Sequence, residues 1–301
     1  TCLMPSSRPR VVFDETGQCN ACLFRESQKL VDWDERRKEF ERTINRFRRN
    51  QTYDVIVPCS AGKDSASIAH KLKHQFGLNP LAVCYGQLIW TPAGQHNMER
   101  LRRSGIDVHI WATNQDVSRR LARRFFIERG HPKNAYDSAV NSVPLLTAIQ
   151  FDIPLVMFAE MGEAAYGGLV RSEDALRRRD LDEVLEHICG DDARYWCVDG
   201  LTERDLYPYI QPAADVVREA GIEAHYFSWY FPWSIYENAR YARDKMGFST
   251  AWRNDGYEIE IAGDVWHGRS DGSVESFDSI DDAIDDLDYA AMHSKFIFGR
   301  S

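Results

Sequence analysis

The chain lacks any run of about 18 apolar residues, which excludes a helical membrane span. Its opening, TCLMPSSRPR, has no apolar leader, so secretion is not expected. A basic excess is missing too. With 37 Lys and Arg against 46 Asp and Glu, the formal charge is −9, which disfavours broad nonspecific nucleic-acid binding and leaves room only for a local basic patch. No internal repeat and no low-complexity linker interrupts the 301 residues, so the tail is expected to pack on the rest of the chain. A regular cysteine framework is absent, although Cys19 and Cys22 have C-x-x-C spacing. Seven cysteines, odd in number and uneven in spacing, suit a reducing cytoplasm with some thiols serving a metal better than a disulfide framework. What is present, 44% hydrophobic and 28% charged residues, is ordinary for a globular protein of one large domain or two smaller ones.

Three regions follow from the patterning. Residues 1–50 begin irregularly, with a short strand and a Gly17 turn in RVVFDETGQC, and continue into a helix. There Trp33, Phe40, Ile44 and Phe47 form one apolar stripe, and Arg36, Arg37, Lys38, Arg42, Arg46, Arg48 and Arg49 a basic face. Residues 51–170 alternate: YDVIVPC, PLAVCYGQL, IDVHIWAT and IPLVMFAE read as strands, and the stretches between them as helices, two of them near 116–129 and 138–151. That alternation predicts an α/β fold, a parallel sheet with helices on both faces. Residues 171–301 are charged and helical in RSEDALRRRDLDEVLEHI, then dense in aromatics, with DVWHGRSDG as a strand and turn. From Asp271 to Asp288 they carry eight acids and no base.

The first strand ends in SAGKDS, Ser60 to Ser65, where a helix begins. In open parallel sheets, ligands bind beyond the carboxyl ends of strands. A helix start offers unpaired N–H groups and a positive dipole end, and small residues let an anion approach. Ser60 and Ser65 add hydroxyls and Lys63 a charge, while Asp64 suits a Mg²⁺ ion or a loop-holding role. The G-x-x-x-x-G-K-[ST] loop is absent. The plain alternative is a tight turn whose helix is capped by Ser60 or Ser65. The fourth strand ends in FAEMGEAAYGG, where Glu160, Glu163, Tyr166, Gly167 and Gly168 could share the rim with the first turn. A carboxylate there can orient an amide, bind Mg²⁺ or accept a proton. The plain alternative is a solvated glycine turn.

SAGKDS resembles the S-G-G-x-D-S loop of the PP-loop ATP pyrophosphatases, with Ala61 in place of the first glycine, a change that matters if φ is positive there. Together with Glu-x-x-Glu-x-x-Tyr-Gly-Gly at 160–168, YFPWS at 230–234 and KFIFGR at 295–300, the chain resembles the N-acetyl sugar amidotransferases of bacterial surface-polysaccharide, O-antigen and nonulosonic-acid pathways, over nearly its whole length. The resemblance implies a PP-loop (adenine nucleotide α-hydrolase-like) domain with a small zinc-binding N-terminal segment and a helical C-terminal part. It implies ATP, Mg²⁺ and Zn²⁺; a nucleotide-activated N-acetyl sugar whose acetamido group becomes an acetamidino group through an adenylate; and ammonia from a separate glutaminase subunit. The ATP loop would be Ser60, Ala61, Gly62, Lys63, Asp64 and Ser65. Lys63, Asp64, Glu160 and Glu163 would be catalytic, and Glu160 to Gly168 would face the substrate. Cys2, Cys19 and Cys22 would ligate zinc, the first cysteine of the family pattern falling before Thr1.

Several features have plainer readings. Cys59 and Cys84 read as core, Cys189 and Cys197 as ordinary thiols, the basic helix face as solvated rather than as a docking or nucleic-acid surface, and the acidic run as a solvated helix. The cluster Tyr226, Phe227, Trp229, Tyr230, Phe231 and Trp233 suits an aromatic core or sugar stacking. Two other functions fit less well: a tRNA-modifying PP-loop enzyme, disfavoured by the charge of −9 and by the lack of a cysteine pair near the site, and a non-catalytic zinc-stabilised scaffold.

Overall fold

The computed structural model describes residues 4, 6, 10–49, 51–86, 90–166, 168, 170–185, 189–249, 257–261 and 264–268. In chain order the helices are α1 (Asn20–Ser27), α2 (Trp33–Phe47), α3 (Lys63–His74), α4 (Pro92–Arg103), α5 (Gln115–Arg129), α6 (Asn134–Phe151), α7 (Gly162–Tyr166), α8 (Glu173–Arg177), α9 (Leu181–Val184), α10 (Glu203–Leu206), α11 (Ala214–Glu219), α12 (Phe227–Tyr230) and α13 (Ile235–Met246). The strands are β1 (Val55–Pro58), β2 (Pro80–Gly86), β3 (Asp107–Ala112), β4 (Leu155–Phe158), β5 (Glu223–Tyr226), β6 (Tyr257–Ile261) and β7 (Asp264–Gly268). The first five form one parallel sheet in the order β3-β2-β1-β4-β5, and β6 and β7 pair antiparallel. The expected α/β architecture is present, and the sheet takes its fifth strand from beyond residue 170.

Alternation along the strands divides the core in two. Val55 and Val57 of β1, with Ala82, Leu155 and Met157, pack under α2, α3, α4 and α13. Ile56, with Val83, Val156 and Phe158, packs under α5 and α6. Helix α2 forms as its sequence predicts: the Asp32 carboxylate caps the N–H groups of Asp34 and Glu35, and the stripe of Phe40, Ile44 and Phe47 is buried. Part of its basic face is spent locally, with Arg37 on Glu41 and both Lys38 and Arg42 on Glu35, while Arg46 reaches Glu223 and Arg49 reaches Asp152. The aromatic segment is largely core. Phe40 meets Phe76, Phe227, Tyr230 and Phe231 at centroid distances of 4.8–5.9 Å.

Two local expectations differ from what forms. RVVFDETGQC makes only a single bridge, Phe13 to Cys19, because the Asp14 carboxylate gathers the N–H groups of Thr16 and Gln18 into a turn. The charged stretch after residue 171 is not one helix. It breaks at Arg178 and Arg179, whose backbone joins the sheet edge through an Arg178–His225 bridge and an Arg179 N–H to the Ala224 carbonyl (2.8 Å), after which Asp180 caps α9.

That edge carries a buried relay. His225 hydrogen-bonds the Tyr230 hydroxyl at Nδ1 (2.6 Å) and Glu223 at Nε2 (2.9 Å). Burial pushes the His225 pKa down, so the neutral ring donates from Nε2 and accepts at Nδ1. The His225 hydrogen bond, then Arg178 and Arg46, hold the Glu223 carboxyl down to about 2 from 4.5. A depressed carboxylate contributes stability that is complete above the unfolded value and is lost as pH falls through the folded one. Stability should therefore drop between about pH 5 and pH 2. Glu223→Gln should flatten that limb and cost up to about 3 kcal/mol at pH 7, at about 1.36 kcal/mol per pKa unit, as urea unfolding at several pH values would show. By the same measurement Phe40→Ala should cost about 3–5 kcal/mol through the cavity it leaves. Leu30→Ala, at a side chain 88% exposed, should stay within about 0.5 kcal/mol.

Candidate functional site

Strands β1 and β4 are neighbours, yet the chain leaves β1 for α3 on one face of the sheet and reaches β4 from α6 on the other. At such a switch point the loops beyond the strands diverge and leave a crevice. A cavity of about 400 Å³ lies there, floored by the ends of β1, β2 and β4 and walled by the Ser60–Ser65 turn, by Tyr136, Asn141 and Pro144 of α6, and by Arg179.

The turn is built from below. Cys59 extends the ladder by donating its N–H to the Val83 carbonyl (2.8 Å), and its Sγ receives the Ala61 N–H and the Ser65 hydroxyl, each at 3.3 Å. Ala61 adopts φ +62°, the conformation in which its replacement of a glycine has a cost. Gly62 is then the residue preceding α3, and no side chain caps the helix. Neither serine fills the capping role that the plain alternative assigned, since Ser60 lies two residues ahead of that position and Ser65 lies inside the helix. The first turn of α3 thus keeps its N–H groups and positive end for the cavity.

Lys63 and Asp64 pair at 2.8 Å, and Asn238 of α13 donates to the other Asp64 oxygen at 2.9 Å while accepting from Lys71 at 3.2 Å. Asn238 is 4% exposed and also accepts at its carbonyl from the Ser67 hydroxyl, so α13 fixes the acid from behind. Glu160, at the end of β4, lines the same cavity. Its pKa is raised, first by burial and then by the Asp64 charge, with Lys63 and Arg179 pulling the other way. Arg179 lies over the Phe158 ring, 4.0 Å from its centroid, and donates to the Tyr226 hydroxyl (3.2 Å) and to Asn141 Oδ1. Its Nε is buried without a partner among the described residues. Two cations and a helix start face two carboxylates.

These groups fit the ligands that the resemblance implied. A triphosphate matches the cations and the free N–H groups. Mg²⁺ is bound through one or two carboxylates together with substrate phosphates, and the Asp64–Glu160 repulsion is what a divalent cation would relieve. Of the expected zinc ligands, Cys19 immediately precedes α1 and Cys22 lies in its first turn, and both are thiols. Cys2 lies outside the described residues, among which no group of three or more His, Cys, Asp or Glu could hold a metal.

The structure does not bring Glu163 to the cavity. It turns toward Arg10 at 3.3 Å, and its backbone carbonyl accepts the Gly168 N–H at 2.6 Å. A Cβ on Gly168 would lie 1.7 Å from the Glu163 carboxylate, so any side chain there would displace Glu163. Asn20 holds the Gly168 carbonyl at 3.0 Å, tying α1 to this loop. Tyr166 ends α7, and Gly167 lies outside the described residues, as do Asp271 to Asp288 and KFIFGR. Arg179, Asn141 and Asn238 were not anticipated. Asn141 offered a signal, a carboxamide inside the apolar helix 134–151, whereas nothing marks Arg179 among three consecutive arginines. Comparison with models of known protein families finds no match, and comparison with curated proteins finds none either.

The Ala61 backbone sets a test of this geometry. A left-handed alanine costs about 1–2 kcal/mol. A glycine would relieve that strain but lose about 0.8 kcal/mol of methyl burial and about 0.4–1 kcal/mol through the unfolded chain. Ala61→Gly should therefore change stability by less than about 1 kcal/mol, while Ala61→Val, β-branched at positive φ and wholly buried, should cost more than about 2 kcal/mol in thermal unfolding.

Proposed function

We propose that the chain is an ATP-dependent, AMP-forming amidotransferase that converts an acetamido group of a nucleotide-activated N-acetyl sugar into an acetamidino group. The observation that carries this reading is the convergence of an uncapped helix start, Lys63 and Arg179 with the Asp64–Glu160 carboxylate pair in one cavity at the switch point of the sheet. An amide oxygen is a weak nucleophile and a poor leaving group. Attack by that oxygen on the α-phosphorus of ATP forms the O–P bond of an imidate-like adenylate and expels pyrophosphate. Ammonia then adds to the imidate carbon, and AMP departs with the former amide oxygen.

In this reading the first turn of α3 and Lys63 hold the departing pyrophosphate. Arg179 offers a second cation on the opposite wall. Asp64, fixed by Asn238, and Glu160 hold Mg²⁺, which would screen the phosphate charge. The same reading takes ammonia from a partner glutaminase and places the reaction in cytoplasmic synthesis of bacterial surface polysaccharide. A structural zinc would sit on Cys2, Cys19 and Cys22. A tRNA substrate is less well supported, because Arg37, Lys38 and Arg42 of α2 are engaged by acids of their own helix. No helix among the described residues is long and apolar enough to cross a membrane.

The test is AMP and pyrophosphate release from ATP–Mg²⁺ in the presence of ammonium and a UDP- or CMP-linked N-acetyl sugar. Release should require the sugar, and Asp64→Ala should lower it by about 10²–10³-fold with the fold retained by circular dichroism. Release stimulated by tRNA alone, or unchanged turnover in Asp64→Ala, would sink the proposal.

A further inference from the structure

A second, larger cavity of about 830 Å³ adjoins the first, and Glu160 lines both. The partition between them is the short loop after β4. Ser228 of α12 pins it twice, with its N–H on the Ala159 carbonyl (3.1 Å) and its hydroxyl receiving the Met161 N–H (3.3 Å). Glu160 therefore sits on a pinned loop between two chambers of different character. The first is lined by Lys63, Arg179 and the start of α3. The second carries the rings of Phe24, Trp33 and Trp233, with Arg25 and Lys29 beside them and with Cys19 and Cys22, two of the expected zinc ligands, in its wall. Among the described residues Arg25 has no acidic partner, and Lys29 pairs only at the surface with Glu26, both side chains more than half exposed.

Aromatic faces suit flat bases and the C–H faces of sugars, and neighbouring cations suit a phosphate-bearing handle. The volume lies within the range of about 300–1,000 Å³ usual for small-molecule sites. A two-substrate reaction on phosphorus needs chambers that meet where the nucleophile reaches the phosphate, and these two meet at Glu160. Resting on the amidotransferase reading, we infer that the α1–α2–Trp233 cavity holds the acceptor: a nucleotide-activated amido sugar with its ring system against Trp33 and Trp233, its diphosphate or phosphate near Arg25 and Lys29, and its amide at Glu160. The side of the loop facing α3 is left to ATP.

Calorimetric titration of the full chain with UDP-N-acetylglucosamine and with CMP-N-acetylneuraminic acid as probes, and separately with ATP–Mg²⁺, tests the assignment. At least one sugar nucleotide should bind and quench tryptophan emission. Its Kd should rise at least tenfold in the double variant Arg25→Ala/Lys29→Ala, whose exposed side chains can be removed without unfolding the chain, and in Trp233→Leu. The Kd for ATP should stay within twofold in both variants. Failure of both probes to bind the unaltered chain, or an unchanged sugar-nucleotide Kd in the double variant, overturns the acceptor site. Failure of ATP to bind while a sugar nucleotide does overturns the amidotransferase reading and leaves the second cavity standing as a sugar-nucleotide site.

Discussion

The site depends on one topological constraint: the sheet is wound outward in both directions from the seam between β1 and β4. Helices α3 and α4 return the chain to β2 and β3 across one face, and α5 and α6 carry it to β4 across the other. The segments beyond β1 and β4 therefore cannot pair with each other, and the space between them must be filled by side chains or by a ligand. Every group that faces this cavity owes its position to the seam. Ser60 to Ser65 follow β1, Glu160 follows β4, Asn141 and Pro144 come from the helix that leads into β4, and Arg179 comes from the strip that covers the edge of β5.

Within that frame the turn after β1 trades local comfort for an open helix end. A left-handed alanine is unfavourable by about 1–2 kcal/mol, and an uncapped helix start leaves N–H groups without side-chain partners. Both costs fall at the same place and have the same consequence, a concave run of donors facing the cavity. The compensation comes from underneath, where Cys59 receives two donors and holds the ladder to β2, and from behind, where Asn238 braces Asp64. Local disfavour supported by well-packed surroundings is the pattern expected of a binding turn.

The sheet was legible because its strands are short apolar runs separated by amphipathic helices, and alternation of that kind has few folded solutions. The two catalytic-looking turns were legible because residues that end strands on small or acidic side chains stand out against apolar runs. Arg179 and Asn238 were not, because their roles come from tertiary contact. Arg179 is selected from three consecutive arginines only by the bridge that seats its neighbour on β5, and Asn238 only by the packing of α13 on α3. Strand β5 was hidden for a related reason. Of its four residues, Glu-Ala-His-Tyr, three titrate or pair, and the alternation is masked by the relay of Glu223, His225 and Tyr230 and by the Arg179–Tyr226 contact. Glu163 misled because the spacing of its motif does not say which way a five-residue helix points its side chains.

The charges around the cavity make the last connection. Lys63 and Arg179 offset part of the negative charge of Asp64 and Glu160, and the Glu160 pKa is still raised, first by burial and then by Asp64. A proton on Glu160 removes the repulsion at the expense of a carboxylate that could bind a cation. A divalent cation removes the same repulsion and favours the ionised form, so cation binding and proton loss at Glu160 are linked. Glu160 is also the group shared with the second cavity. A charged occupant of the first cavity would therefore change the charge presented to the second. Two chambers that meet at a titratable partition are coupled by electrostatics alone, without any movement of the loop that Ser228 holds in place.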